Sequence, residues 1–212
     1  MTSVITTTQR VVDFGTDITY SNSFVEAKLA KQYFDYLEAN VKWTKAIVKG
    51  RRVNASYGDP GVLYELNIRG TITRRTVTDW ATLPFLRDLR DYMEKVTHVK
   101  YNYVVIQRYD GNKAWMKGHR DKEMVPGTTI SGISLGAARV LTMTSTRTGR
   151  VYQFYLNDGS LYMLNPPTND HNLHCIEEGT EGGVRISLTF RLMPIETKTP
   201  PLPDILPLPM EP

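Results

Sequence analysis

The chain has very little cysteine and no long apolar segment. Among its 212 residues only Cys175 carries a thiol, so no disulfide can form within the chain. This predicts an intracellular, reducing compartment, with nucleus and cytoplasm left undistinguished. No stretch is apolar over the roughly 20 residues that cross a bilayer, and no secretory signal is evident, so we expect no membrane partner.

Positive and negative charges are nearly balanced. The chain has 26 Lys and Arg residues against 22 Asp and Glu residues, a formal net charge of +4 at pH 7. This small excess is compatible with a polyanionic partner but does not require one. Hydrophobic residues make up 41% of the chain, which is typical of a globular domain with its own core. We therefore expect one principal domain, and we also expect a monomer.

The hydrophobic pattern predicts helices first and strands later. Apolar residues at helical spacing indicate helices over 24–41, with Ser23 as a candidate N-cap, and over 78–97. Short strands separated by turn residues follow, which favours an α+β fold whose second half is an antiparallel barrel or jelly roll. The domain organisation that we expect is a disordered stretch over 1–16, a folded domain over 17–194 and an extended proline-rich tail over 195–212.

The segment 117–123 contains a candidate metal-binding pair. His119 and Asp121 form an HxD motif, and residues two apart on a strand point to the same face. His174, on a late predicted strand, can supply a third ligand, and His171 is an alternative on sequence alone. Two histidines and one carboxylate form the facial triad of non-haem Fe(II) oxygenases, which leaves positions open for substrate and dioxygen.

A late arginine-rich strand predicts a bound anion. In the segment 185–191, Arg185, Ser187, Thr189 and Arg191 alternate with apolar residues and so share one face of a strand. Two arginines facing the inside of a barrel are costly unless an anion meets them. The planar guanidinium binds a carboxylate through two charge-assisted hydrogen bonds, so the pattern favours a dicarboxylate such as 2-oxoglutarate.

Taken in order along the chain, several segments resemble the AlkB family of Fe(II)- and 2-oxoglutarate-dependent nucleic-acid dealkylases, especially its members that repair duplex DNA. The resemblance runs from about residue 17 to residue 192. It implies a double-stranded β-helix (a cupin-like jelly roll) with flanking N-terminal helices. The segments that carry it are 56–59, 101–109, 118–123, 159–161, 165–171, His174 and 185–191.

The resemblance implies roles for the metal and cosubstrate residues. His119, Asp121 and His174 would bind Fe(II), which favours His174 over His171. Arg185 would hold the distal carboxylate of 2-oxoglutarate. The other residues of the cosubstrate site would be Tyr109, also at the distal carboxylate, Arg191, near the keto-acid end, and Gln107 and Ser187, where the family usually or often has asparagine.

The resemblance also implies where a substrate base and its strand would lie. Tyr64, Leu66 and Met116 would line the base pocket together with His119, although Leu66 replaces an aromatic residue of the family. Lys122 stands where close relatives have an aspartate that reads the exocyclic amine of the base, and the neighbouring Glu123 is a candidate substitute. In a basic loop, the candidate contacts to the nucleic-acid backbone are Lys49, Arg51 and Arg52.

The implied reaction is oxidative demethylation of bases such as 1-methyladenine and 3-methylcytosine in DNA or RNA. It would use Fe(II), O2 and 2-oxoglutarate and release succinate, CO2 and formaldehyde. The basic loop is short and lacks an aromatic residue, so we expect a preference for single-stranded nucleic acid. Two alternatives stay open: the same oxygenase acting on a different substrate such as protein, and a non-catalytic nucleic-acid-binding module.

Overall fold

The computed structural model describes residues 2–5, 7–43, 52–68, 70–179 and 182–196, and for residues 2–5 and 66–68 it describes the backbone alone. The helices are α1 (Ala27–Asn40), α2 (Pro84–Thr97) and the short α3 (Thr168–His171), with a 3-10 turn at Trp80–Thr82. The strands are β1 (Thr2–Ile5), β2 (Gln9–Asp13), β3 (Thr16–Ser21), β4 (Arg52–Gly58), β5 (Tyr64–Ile68), β6 (Thr71–Arg75), β7 (Thr78–Asp79), β8 (Tyr103–Tyr109), β9 (Met116–His119), β10 (Ile130–Gly136), β11 (Arg139–Ser145), β12 (Val151–Leu156), β13 (Ser160–Leu164), β14 (Asn172–Ile176) and β15 (Arg185–Arg191).

Two sheets pack face to face. Within the described residues the larger sheet has the order β2-β3-β13-β10-β15-β8-β4-β7 and the smaller has the order β1-β12-β11-β14-β9. Apolar residues from both sheets, such as Tyr20, Leu141 and Phe154, form the core between them. A second core lies on the other face of the larger sheet, which α1 and α2 cover. This arrangement confirms the prediction of a jelly roll with flanking helices.

Helix α1 begins three residues later than the sequence predicts. Ser23 does not cap it; Glu26 precedes the first helical residue, and no side-chain cap is formed. The backbone N–H groups of Phe24 and Val25 both donate to the Gly159 carbonyl, at 2.9 Å each. The chain is therefore tied to the turn before β13 at this point, and the helix begins only where that contact ends.

Helix α2 also begins later than predicted. Thr78–Asp79 pairs with β4 instead, and the Asp79 carboxylate accepts a hydrogen bond of 2.8 Å from the N–H of Ala81 in the 3-10 turn. Pro84 occupies the first turn of α2, where its missing N–H removes no helical hydrogen bond. The helix ends at His98, which has a left-handed backbone with φ of 58°.

The amino-terminal stretch for which we expected disorder contains strands. β2 and β3 form an antiparallel hairpin at the edge of the larger sheet, and β1 pairs in parallel with β12. This stretch is rich in threonine, whose β-branched side chain suits an edge strand. At the other end, Ile195 bridges to Val62; the rest of the predicted tail, 197–212, lies outside the described residues.

None of the helices that the structure describes combines the length and the apolar character that a membrane crossing needs.

Candidate active site

Strand pairing brings the three predicted metal ligands together. β9 ends at His119 and runs antiparallel to β14, with His119 opposite His174, and the two ring centroids are 4.2 Å apart. Asp121 follows two residues after the end of β9, and its Oδ1 lies 3.4 Å from Nε2 of His119. One ligand atom from each of the three residues lies within 4.8 Å of the other two. His171 is not part of this group; it closes α3 and packs against Gly15.

Hydrogen bonds orient two of these ligands. The Lys117 carbonyl can only accept, so His119 donates to it through Nδ1, at 2.9 Å, which leaves Nε2 free to bind a metal. Asn169 holds the backbone of Asp121 on both sides: its Oδ1 accepts from the Asp121 N–H at 3.0 Å, and its Nδ2 donates to the Asp121 carbonyl at 2.7 Å. Asn169 therefore fixes the position of the carboxylate.

The electrostatics of the triad suit a divalent cation. Burial raises the pKa of the Asp121 carboxyl, but the Arg191 guanidinium, at 2.6 Å, and His119 outweigh it and hold that pKa well below its usual range. Burial lowers the pKa of His174 to about 4, so its ring is neutral at pH 7. Its Nδ1 is buried and has no hydrogen-bond partner. An ionised carboxylate, a neutral imidazole and an unused buried nitrogen fit a bound metal ion.

The predicted anion-binding residue Arg185 does not itself line the small cavity that contains the triad, but it lies against Tyr109, which does. Arg185 is fully buried, and no carboxylate in the described part of the chain pairs with it. Its Nε donates to Ser134 at 2.8 Å and its Nη2 to Ser187 at 3.2 Å, while Nη1 has no partner. Its guanidinium lies over the Tyr109 ring, 4.8 Å from the centroid. A buried cation with an unused donor fits the carboxylate of a cosubstrate.

The register of the larger sheet explains this arrangement. Along β15 and β8, Arg185 faces Tyr109 and Ser187 faces Gln107, and the Tyr109 hydroxyl donates to Gln107 at 3.0 Å. The cavity thus contains the predicted cosubstrate residues Gln107, Tyr109, Ser187 and Arg191, beside all three candidate metal ligands.

A second cavity adjoins the first and shares five lining residues with it: Gln107, Met116, His119, Asp121 and Arg191. Tyr64 forms one wall and stacks on Tyr103, with centroids 5.5 Å apart and 30° between the rings. The residues that complete the wall include the predicted Met116 and Glu123 and four that were not predicted for this pocket, Arg52, Asn54, Arg75 and Lys117.

Some predicted substrate residues lie elsewhere. Lys122 does not line the second cavity: it is exposed and borders a separate cleft with Arg120 and Pro166. The backbone of Leu66 lies in β5, but its side chain is outside what the structure describes, as are Lys49 and Arg51. Arg52, predicted to contact the nucleic-acid backbone, lies in the cavity wall over the Tyr109 ring.

Comparison with known proteins agrees with this geometry. Residues 17–191 match the model of the 2OG-Fe(II) oxygenase superfamily. The human and mouse proteins named DNA oxidative demethylase ALKBH2 are 31% and 32% identical over 198 residues, which covers 84% of this chain and 73% and 80% of those proteins.

The chain belongs to the AlkB family of Fe(II)- and 2-oxoglutarate-dependent dioxygenases.

Solved structures support the same fold for this AlkB-family enzyme. The structure of OsALKBH1 aligns with a TM-score of 0.58 at 11% identity, covering 82% of this chain and 97% of that one. A prolyl-4-hydroxylase of Pseudomonas putida aligns with a TM-score of 0.52 at 12% identity, covering 84% and 93%. Fe(II), 2-oxoglutarate and O2 are thus the cofactors and cosubstrates of this family, and His119, Asp121 and His174 are the residues that can hold the iron.

Besides Asn54 and Lys117 of the second cavity, sequence reasoning missed three residues around this site. Asn169 was part of a matching segment, but its contact with Asp121 joins residues 48 positions apart. Tyr162, on β13, lines the cavity next to the triad. It was missed because the sequence of β13 is mostly apolar and is typical of a strand in the hydrophobic core. Arg75 lies at the end of a short exposed hairpin, 5.6 Å from the Tyr64 ring centroid, and only the pairing of β6 with β5 reveals it.

Proposed function

We propose that this AlkB-family oxygenase demethylates N-alkylated nucleobases of the 1-methyladenine and 3-methylcytosine type in DNA or RNA, releasing succinate, CO2 and formaldehyde. The observation that carries the proposal is the cavity between Tyr64 and Glu123, which opens directly onto His119 and Asp121. It offers an aromatic face and a carboxylate next to the metal position. The name of the mammalian relatives, DNA oxidative demethylase, supports the same substrate class.

The cavity residues suit a methylated, positively charged base. Tyr64 presents a ring for stacking, held by Tyr103 behind it, and such stacking contributes roughly 1–3 kcal/mol per base. The Glu123 carboxylate can accept a hydrogen bond from an exocyclic amine and also favours the positive charge of these lesions. In this proposal Glu123 recognises the exocyclic amine of the base, the role that the family resemblance implies for an aspartate at the position of Lys122.

The cosubstrate side of the site holds and shields the reacting groups. Fe(II), O2 and 2-oxoglutarate supply the oxidising chemistry when bound. In the proposal Arg185 and Tyr109 hold the distal carboxylate, while Arg191 holds Asp121 in its ionised form. The full burial of Arg185 and Tyr109 keeps water from this side of the site.

Basic residues around the cavities suit a nucleic-acid strand. Arg52, Arg75 and Lys117 line the substrate cavity, and Arg120 and Lys122 border the neighbouring cleft. We propose that single-stranded DNA or RNA is preferred, because a base in a duplex must first be taken out of its stack. The basic sequence at residues 48–52 contains no aromatic residue that could fill the gap left by such a base.

A demethylation panel tests the proposed function. The purified enzyme with Fe(II) and 2-oxoglutarate is given oligonucleotides with methylated adenine or cytosine, as DNA and RNA, single- and double-stranded, with mass readout. We expect loss of the methyl group, fastest in single strands, and no activity in His174→Ala. Glu123→Gln should slow the reaction, and the matched Glu26→Gln, on the exposed start of α1, should not.

Two results would overturn the proposal. Turnover of 2-oxoglutarate without demethylation of any oligonucleotide would indicate another substrate, such as protein. Binding of oligonucleotides without any turnover of 2-oxoglutarate would indicate a non-catalytic binding module. Equal rates on duplex and single strand would contradict the strand preference alone.

A further inference from the structure

A second buried arginine, Arg139, lies near Arg185. Arg139, at the start of β11, is 1% exposed, and Arg185 is 0% exposed. No ion pair of the described residues includes either side chain. The two side chains are neighbours, because Arg139 Nη2 lies 2.7 Å from the Gly111 carbonyl and 3.5 Å from the Gly183 carbonyl, each two residues from a member of the Arg185–Tyr109 strand pair. Burial and then the Arg185 charge lower the pKa of Arg139. Two like charges buried together without an acid destabilise a fold unless something else compensates them.

Backbone carbonyls hold the Arg139 guanidinium in place. Nη1 donates to the Ala138 carbonyl at 2.7 Å and Nη2 donates to the Gly111 carbonyl at 2.7 Å, while Nε has no partner. Gly179 leaves the space that the guanidinium occupies, because a Cβ at Gly179 would lie only 2.6 Å from Nη1. Neutral carbonyl dipoles offset part of the cost of burial but leave the positive charge uncancelled.

The carbonyl partners lie in the connections that link the two halves of the site. Gly111 belongs to the connection from β8, which carries Tyr109, to β9, which carries His119. Nη2 also reaches the Gly183 carbonyl, at 3.5 Å, in the connection from β14 to β15, which runs from His174 to Arg185. One side chain therefore contacts both segments that join a metal-ligand strand to a cosubstrate strand.

We propose that Arg139 is a positioning residue for the cosubstrate, whose buried charge near Arg185 strengthens binding of the dicarboxylate. The inference rests on the proposed placement of 2-oxoglutarate at Arg185. In the empty site the two guanidinium charges repel each other without compensation. The distal carboxylate relieves that repulsion when it binds, so the protein gains more from the anion than one arginine alone would provide.

The test measures cosubstrate binding without any nucleic acid. Calorimetry follows the binding of N-oxalylglycine, an unreactive analogue of 2-oxoglutarate, to the enzyme loaded with Mn(II). Arg139→Met should weaken binding about tenfold and shrink the rise in Tm that the analogue produces. Arg139→Lys, which keeps the charge, should bind within about threefold of the wild type. The matched control Arg108→Met removes an arginine of β8 that is paired with Glu38 and should bind normally.

A merely structural role predicts a different pattern. Arg139→Met would then lower the Tm equally with and without the analogue and leave its affinity unchanged, which would overturn the proposal. If Arg139→Met does not fold, Arg139→Lys decides: a tenfold loss of affinity there would contradict the role of the charge. Arg185→Met tests the placement of 2-oxoglutarate on which this inference rests: unchanged N-oxalylglycine binding in that variant would overturn both. A wild-type enzyme that binds the analogue but demethylates no oligonucleotide would overturn only the proposed nucleobase substrate.

Discussion

At the scale of single residues, Asp121 is held by three neighbours of different kinds. Arg191 pairs with its carboxylate, His119 faces the other oxygen, and Asn169 fixes its backbone. The carboxylate and guanidinium are both nearly buried, with side-chain exposures of 5% and 9%. Removing one member of such a pair leaves an uncompensated buried charge, which is far more damaging than losing an exposed pair.

Arg191→Met should therefore lower the free energy of unfolding of the metal-free protein by about 3 kcal/mol at pH 7. The low pKa of Asp121 in the folded protein means that its ionisation stabilises the fold above the ordinary carboxyl pKa, and that this contribution is lost as pH falls below it. As pH is lowered from 7 to 3, the difference in unfolding free energy between wild type and variant should thus stay constant to about pH 5 and narrow only below about pH 4. Urea unfolding across this range measures it.

Arg108→Met is the control for that series, because the Arg108–Glu38 pair is partly exposed and should contribute less than about 1 kcal/mol. A constant difference between Arg191→Met and wild type at all pH values would show that lost packing, not the charge pair, causes the destabilisation.

Tyr64 tests the substrate side of the site. Tyr64→Leu removes the stacking face and should raise KM for a methylated oligonucleotide roughly 5- to 100-fold, while Tyr64→Phe should stay close to wild type. KM for 2-oxoglutarate should not change in either variant. Steady-state kinetics, with the oligonucleotide and 2-oxoglutarate concentrations varied separately, measures the two KM values independently. An equal loss in Tyr64→Phe would point to the hydroxyl and contradict stacking.

At the scale of elements, the alternation of polar and apolar residues along β15 predicted which side chains share a face. Its polar residues face the candidate site, and its apolar residues face the hydrophobic core. Ile186, Leu188 and Phe190 indeed pack under the helices. β4 was not predicted, because its last residues, Ser56–Gly58, belong to a segment rich in turn-forming residues. It is a strand because it pairs along its whole length with β8, and such a long-range contact has no local signal.

Gly132 tests the packing between two elements of the cosubstrate side. It lies on β10 opposite Tyr162 of β13, and an added Cβ would overlap the Tyr162 ring. Gly132→Ala should therefore cost about 1–3 kcal/mol in unfolding free energy and weaken cosubstrate binding. Gly182→Ala, where a Cβ meets open space, should change little. Equal stability of both variants in urea unfolding would contradict this packing.

At the scale of the whole molecule, the jelly roll brings residues from strands far apart in the sequence together at one site. The resemblance to the AlkB family predicted the three metal ligands, which the structure brings together, because each is recognisable by residue type and order. Of the predicted cosubstrate residues, Gln107, Tyr109, Ser187 and Arg191 line the adjacent cavity, and their roles stay predictions. Arg139, Asn169 and Tyr162 were not predictable, because their importance depends on burial and on partners such as backbone carbonyls that no sequence pattern marks.

The basic residues around the cavities should make nucleic-acid binding depend on salt. Lys122→Glu should weaken binding of a single-stranded oligonucleotide and reduce the slope of log affinity against log salt by about 0.7, the value for one phosphate contact. The control Lys28→Glu changes an exposed lysine on α1, and it should reduce both the affinity and the salt slope less than Lys122→Glu does. Fluorescence anisotropy at several salt concentrations measures the slopes, and identical slopes for both variants would exclude the cleft beside Lys122 as a phosphate site.

The activity requires that His119, Asp121 and His174 share one metal ion. The most direct measurement is a calorimetric titration of the metal-free protein with Mn(II), in wild type, His174→Ala and Asp121→Ala. We expect one ion per chain in the wild type, none in either variant, and N-oxalylglycine binding only after the metal. Unchanged Mn(II) binding in both variants would show that the ion lies elsewhere and that these three residues are not its ligands.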